Sequence, residues 1–340
     1  MFVRKIMYLN HSKYLLALCA LLMISGSAMA QGLIPNLGSA RSGTSGFQFT
    51  KVSVDPRAAS LGNSSVADAM DASSLYWNPA LAVQAEGSQF MTNQTVYFVD
   101  INQYYAAYLQ HFRNYAIGFS LQYLDSGEID ETTEFNKFGT GRTFRTLHYN
   151  AGLTFSQRLT ELFSYGITAR FMHERIEEVE MTSGALDFGF FYRVGETGLR
   201  FSVGINNFGF DADPSGETER QTLNGILIED DFESVTLPTT FILGTAYDVW
   251  ENEHFSVMLT AQLTNPSDNA ERLSIGSEVG YMDLFYLRGG YQFGLEEISL
   301  PSVGFGVEKE FLGVNTKIDV SYTTYETLGD ITRFGFNFSF

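Results

Sequence analysis

The sequence predicts an all-β fold, a 14-stranded antiparallel transmembrane β-barrel with an amino-terminal segment inside its mouth. Three observations carry this expectation. First, from about residue 88 onward apolar residues alternate with small or polar ones, segment after segment, in runs near the ~9 to 11 residues that a tilted strand needs to cross hydrocarbon. Second, only 18% of the 340 residues are charged, against 30 Phe, 18 Tyr and 32 Gly; soluble domains carry roughly 25% charged residues. Third, the connections between the segments are alternately short and long, as periplasmic turns and external loops are.

In chain order, residues 1–30 read as a signal peptide. Arg4, Lys5 and Lys13 precede the apolar run 14–24, and Ala28-Met29-Ala30 supplies small residues for cleavage before Gln31. The single Cys, Cys19, leaves with it, so the exported chain has no thiol or disulfide. Residues 31–87 are a lead-in and lumenal plug, and residues 88–340 are the barrel. Its strands fall near 88–99, 103–111, 115–125, 144–156, 163–175, 184–193, 198–207, 237–249, 255–264, 272–281, 284–294, 302–310, 314–325 and 331–340. An even number closes an antiparallel sheet, and closure removes the unpaired edges that hydrocarbon does not tolerate.

One apolar face is clear in Leu147, Tyr149, Ala151, Leu153 and Phe155, and again in Phe255, Val257, Leu259, Ala261 and Leu263. Charges sit on the other face, as with Arg200, Glu278, Lys317 and Asp319, which suits a lumen. Aromatics near strand ends, Tyr97-Phe98, Phe190-Phe191-Tyr192, Trp250, Phe285-Tyr286 and Tyr322, are expected in interfacial girdles. The long connections 126–143, 176–183, 208–236, 265–271, 295–301 and 326–330 share one side, which makes them external. The chain ends with Phe336, Phe338 and Phe340 at every second position, and a terminal Phe is similar to the insertion signal of outer-membrane barrels.

Residues 46–83 break the period with small residues and turn formers. Ser64 or Ser65 is expected to cap a short helix through Asp71, and Pro79 to stop any helix before it. The run Phe49-x-Lys51-x-x-Val54-Asp55-x-Arg57-Ala58-Ala59-x-Leu61-Gly62 is followed by Ala67-Asp68, Asp71-Ala72-Ser73 and Tyr76-Trp77-Asn78-Pro79-Ala80. This set resembles the amino-terminal signature of the PorV/PorQ family of outer-membrane proteins, in the FadL-like barrel superfamily. Asn63, Met70 and Leu81 depart from the family's usual pattern. The resemblance implies a FadL-like barrel in the outer membrane, with Arg57, Gly62, Asp68, Asp71, Asn78 and Pro79 as the plug or hatch motif. It further implies a part in type IX secretion, holding or shuttling cargo proteins and meeting the translocon and the surface sortase. FadL relatives instead pass hydrophobic small molecules, so a hydrophobic ligand in the lumen is the alternative.

Formal charge of −18 repels phosphate backbones and argues against nucleic acid as a partner; outer-membrane lipid is the expected surrounding. No catalytic motif, metal or cofactor site is expected: His111, His148, His173 and His254 lie at no ligand spacing. Asp211, Asp213 and Ser215 space oxygens like the start of a calcium loop, but position twelve is Thr222 and the bidentate carboxylate is missing. Together with Glu128, Asp130, Glu131, Glu229, Asp230 and Asp231, Asp211 and Asp213 are expected to form an acidic external rim.

Overall fold

A computed structural model describes Gly43 and residues 45–340, apart from Asp100, 223–224, 296–297 and 299. The expected signal peptide, its Cys19 and the junction at Gln31 lie outside the described residues. Strands are numbered in chain order as β1 (Ser88–Val96), β2 (Asn102–His111), β3 (Tyr115–Asp125), β4 (Ile129–Asp130), β5 (Thr143–Phe144) and β6 (Thr146–Arg158). Then come β7 (Phe163–Ile176), β8 (Val179–Arg193), β9 (Leu199–Gly209), β10 (Thr218–Thr222), β11 (Gly225–Glu229) and β12 (Thr240–Glu251). The last six are β13 (Phe255–Pro266), β14 (Arg272–Tyr281), β15 (Phe285–Phe293), β16 (Ser302–Phe311), β17 (Val314–Tyr325) and β18 (Gly329–Ser339).

Fourteen of these close into one antiparallel barrel, each pairing with its neighbour in sequence and β1 closing on β18. The alternation in the sequence sets the register, because a slip of one residue would turn every apolar side chain into the lumen. On β3, for instance, Ile117, Phe119 and Leu121 are exposed on the outer face while Ala116, Ser120 and Gln122 are buried inward. Hydrocarbon therefore replaces water around the outer Phe, Leu and Ile side chains, and the polar face looks inward. No helix among the described residues is long and apolar enough to cross a membrane; the strands do the crossing.

Several expectations are corrected. Each of the two longest connections contains a hairpin, β4 with β5 and β10 with β11. The expected loop 176–183 shrinks to Glu177 and Glu178, because β7 and β8 stay paired as far as Ile176↔Val179. No helix runs from Ser64 or Ser65 through Asp71: the Ser64 hydroxyl instead donates to the Leu61 carbonyl and meets Thr260 of β13, both at 2.6 Å. Pro79 does stop the short helix Ser74–Trp77 before it, but it also starts a 3-10 helix, Pro79–Gln84. Phe191 and Tyr286 leave the aromatic girdle. Phe191 is buried in the lumen against Trp77, Ala80 and Leu81, and the Tyr286 ring lies 5.4 Å from the Arg288 guanidinium.

Candidate functional site: the seam between inner segment and wall

Residues 45–85 fill the lumen. Their conformation follows from local rules. Asp55 caps the helix Pro56–Ser60, its carboxylate accepting from the Arg57 amide at 3.0 Å, with Pro56 at the first position. The helix ends in a Schellman arrangement: Asn63 N–H donates to Ala58 at 2.8 Å and Gly62 N–H to Ala59 at 3.1 Å. Gly62 sits at φ 67°, and a Cβ there would come 2.8 Å from the Tyr291 amide nitrogen of β15, so only glycine fits. Asp71 accepts from the Ser73 amide at 2.9 Å and so makes an Asx turn. Asn78 caps the 3-10 helix by accepting from Ala80 N–H at 3.0 Å, while its amide donates to the carbonyls of Val66 and of Phe190 in β8.

That backbone delivers Arg57 to the wall. Its guanidinium donates to both oxygens of Glu278 on β14, at 2.9 and 3.2 Å, and lies 2.8 Å from Asp68. The Asp68 contact is ionic only: neither of its oxygens has a hydrogen-bond partner. Glu278 also takes Arg288 of β15, which in turn binds Asp319 of β17. A pairing network therefore runs from the inner segment to three strands of the wall, β14, β15 and β17, all of it buried or nearly so. Burial disfavours the Arg57 cation, but Glu278 and Asp68 outweigh it and raise its pKa. Burial likewise works against an ionised Asp71, yet the Lys317 ammonium and the Ser73 hydrogen bonds hold its carboxyl below the usual range. Asp55 goes the other way: burial, then repulsion from Asp71 and Asp319, pushes it up to about 7.

Other strands grip the segment through main-chain groups. Arg333 of β18 donates to the Ser53 carbonyl at 3.1 Å, Gln122 of β3 to Phe49 at 2.9 Å and Arg158 of β6 to Val83 at 2.8 Å. Gln262 of β13 accepts from Val66 N–H at 3.0 Å, and Gln89 of β1 from Ala72 N–H at 2.9 Å. Lys51 binds Asp268 at 2.8 Å, and the Ser45 hydroxyl and Gln48 amide reach the same carboxylate. Where the segment presses hardest the wall has no side chain: a Cβ on Gly166, Gly276, Gly290 or Gly335 would strike Pro79, Leu61, Leu61 again and Pro56 respectively.

The residues that the sequence singled out thus fall into three groups. Arg57 and Asn78 reach the wall, Asp68 pairs with Arg57, and Gly62, Asp71 and Pro79 shape the segment's own turns. Glu278 and Asp319 were visible as lumen-facing charges, but the direct bond of Glu278 to Arg57 and the link from Glu278 through Arg288 to Asp319 were not. Arg170 with Asp187 and Lys51 with Asp268 are further pairs that sequence spacing does not give; only the position of Arg170 on the inward face of its strand hints at one. On the rim, Asp130, Asp211, Asp230 and Asp231 are exposed, and Asp213 accepts from the exposed Ser234 hydroxyl. Glu131 is engaged by Arg142 at 2.6 Å and Glu128 by Arg145 at 3.1 Å, which blunts the expected acidity; the Glu229 side chain lies outside the described residues. At the carboxyl end Phe336 and Phe340 face outward, Phe338 stacks on Phe90, and Phe340 exchanges backbone hydrogen bonds with Ser88.

No group of three or more His, Cys, Asp or Glu suited to a metal ion occurs among the described residues. His148 bonds Thr146 at 2.8 Å and faces Glu174 at 3.5 Å, and Glu174 holds the Phe47 amide at 2.9 Å. These groups fasten the segment rather than form a nucleophile with its base.

A closed fourteen-strand sheet filled by its own amino-terminal segment is the architecture of FadL-like outer-membrane barrels. The Pseudomonas putida toluene transporter TodX superimposes with a TM-score of 0.58 at 14% identity, covering 83% of this chain and 96% of that one. The Ralstonia pickettii toluene transporter TbuX gives 0.54 at 12% identity, over 83% and 96%. At such identities the likeness shows the fold alone. Comparison with curated proteins gives no match. The family is settled by sequence: residues 37–266 match the family described as Type IX secretion system protein PorV. The chain belongs to the PorV family and is an outer-membrane protein of type IX secretion.

Proposed function

We propose that the protein holds or shuttles type IX cargo proteins at the outer membrane, working on its external face while the inner segment keeps the lumen shut. The observation that carries this reading is the family match, which spans the inner segment and nine of the fourteen wall strands, β1 to β13. The filled lumen supports it. A cavity beside the inner segment has a volume of about 80 Å3 and is lined by groups such as Lys51, Arg170, Gln262 and Gln292. Ligand pockets run roughly 300–1,000 Å3, so this space suits a few waters and not a folding chain. Binding would then fall to the external connections, above all the hairpins in 126–145 and 210–239.

The test is affinity purification from membranes in mild detergent. Cargo with a carboxyl-terminal sorting domain, or the surface sortase, should co-purify with the intact barrel and be lost when residues 212–235 are replaced by a short Gly-Ser linker. Recovery of neither from the intact barrel refutes the reading. A second reading, a channel for hydrophobic solutes, is favoured by the fold shared with the two toluene transporters. It requires the polar, charge-paired lumen to open, and it predicts solute uptake that disappears on deletion of the gene.

A further inference from the structure

The contacts of the inner segment sort by height in the wall. Its first residues meet groups at one end of the barrel: Ser45 bridges Thr236 in the longest connection, Phe47 N–H donates to Glu174 near the top of β7, and Ser45, Gln48 and Lys51 share Asp268 in the connection from β13 to β14. Its middle meets mid-strand groups: Arg57 bonds Glu278 of β14 and Ser64 bonds Thr260 of β13. Its last residues meet the other end. The Ala80 carbonyl accepts from Ser164 and the Val83 carbonyl from Arg158, which flank the short turn from β6 to β7, and Ser88 bonds Phe340. The end that holds Thr236 and Asp268 is the end with the long connections, which in outer-membrane barrels faces the outside.

We infer that the inner segment runs from the cell-surface mouth toward the periplasm, and that Asp268 is a clamp on its outer end within reach of a partner at the cell surface. A surface component that displaces the connection around Asp268 frees the first turn of the segment from the carboxylate that takes Ser45, Gln48 and Lys51. A periplasmic component would meet only its carboxyl end, which is tied to β1 by the chain itself. Burial raises the Asp268 carboxyl, but the hydrogen bonds from Lys51, Ser45 and Gln48 overcome it and keep the group below its ordinary value, as an anionic clamp requires.

The sequence has one Cys, Cys19, which falls in the expected signal peptide, so single-cysteine labelling on intact cells in a Cys19→Ala background reads this directly. Gly43→Cys, at an exposed position with open space where the Cβ would stand, should react with a membrane-impermeant maleimide before permeabilisation. Glu233→Cys should do the same and Glu253→Cys, in a short turn, should react only afterwards; these two controls test the orientation of the barrel separately. Should Gly43→Cys fail to assemble, an epitope inserted immediately before Gly43 and probed by antibody on intact cells gives the same information. The clamp is read with the buried Ser45→Cys, whose labelling rate should rise about tenfold, equivalent to ~1.4 kcal/mol, when Asp268→Ala is added, while Ser60→Cys stays protected. With the controls behaving as stated, reaction of Gly43→Cys only after permeabilisation, or in neither state, overturns the orientation. An unchanged Ser45→Cys rate in the Asp268→Ala background overturns the clamp.

Discussion

Replacing Arg57 by Ala tests whether the ion-pair network holds the inner segment. Arg57, Asp68 and Glu278 have side chains only 11%, 1% and 13% exposed, so solvent screens the contacts little. Truncation leaves Asp68 buried with no cation in contact, and leaves Glu278 with Arg288 alone. Breaking a buried pair by removing one partner costs about 3–5 kcal/mol. If the loss is local, the detached fraction of the segment rises by roughly two to almost four orders of magnitude at ~1.4 kcal/mol per tenfold. Single-channel recording in planar bilayers should then show openings that the parent barrel lacks, and urea titration in detergent should show an early transition ahead of barrel unfolding. The matched control is Arg57→Met with Glu278→Leu and Asp68→Leu, which removes the charges together and, on the same physics, should lose much less. An Arg57→Ala barrel that stays electrically silent, with a urea midpoint moved by less than the equivalent of about 1 kcal/mol, refutes the latch.

Three further outcomes follow from other contacts. Gly290→Ala should block assembly, because its Cβ would collide with the Leu61 backbone, while Gly289→Ala beside it meets open space and should assemble normally; heat-modifiable migration on gels separates the two. Gly62→Ala should destabilise the barrel by about 2 kcal/mol or more, from the left-handed φ and the Tyr291 backbone together, read as a lowered urea midpoint. The Asp55 carboxyl, raised in the folded state to about 7, stabilises below its unfolded value and loses that contribution as pH rises through about 7. The urea midpoint should therefore fall between pH 5 and pH 8, and Asp55→Asn, which can still cap the helix by accepting from Arg57 N–H, should flatten the fall.

The wall was legible in the sequence because period-two alternation is a one-dimensional signal. The expected strands 115–125, 272–281 and 314–325 coincide with β3, β14 and β17. The β7–β8 turn was misread because residues 179–183 carry Glu180 and Thr182 and have no lipid-facing apolar side chain to mark them as strand, although they continue the ladder into water. The lumen was harder. Arg57 and Asn78 stood out as polar residues in an irregular, small-residue run, but which wall charges they meet depends on where in the circle each strand comes to lie. Glu278 is 221 residues from Arg57, and alternation tells only that it points inward. Ser64 could be read as a helix cap because nothing local announces that Thr260, far along the chain, takes its hydroxyl.

The bare backbone patches at Gly166, Gly276, Gly290 and Gly335 also bear on biogenesis. An empty cylinder with these sites hydrated would be neither watertight nor well packed, so rolling up the sheet and seating the amino-terminal chain are expected to occur as one cooperative event. Deleting residues 45–85 should accordingly yield no leaky pore but a polypeptide that the insertion machinery fails to release.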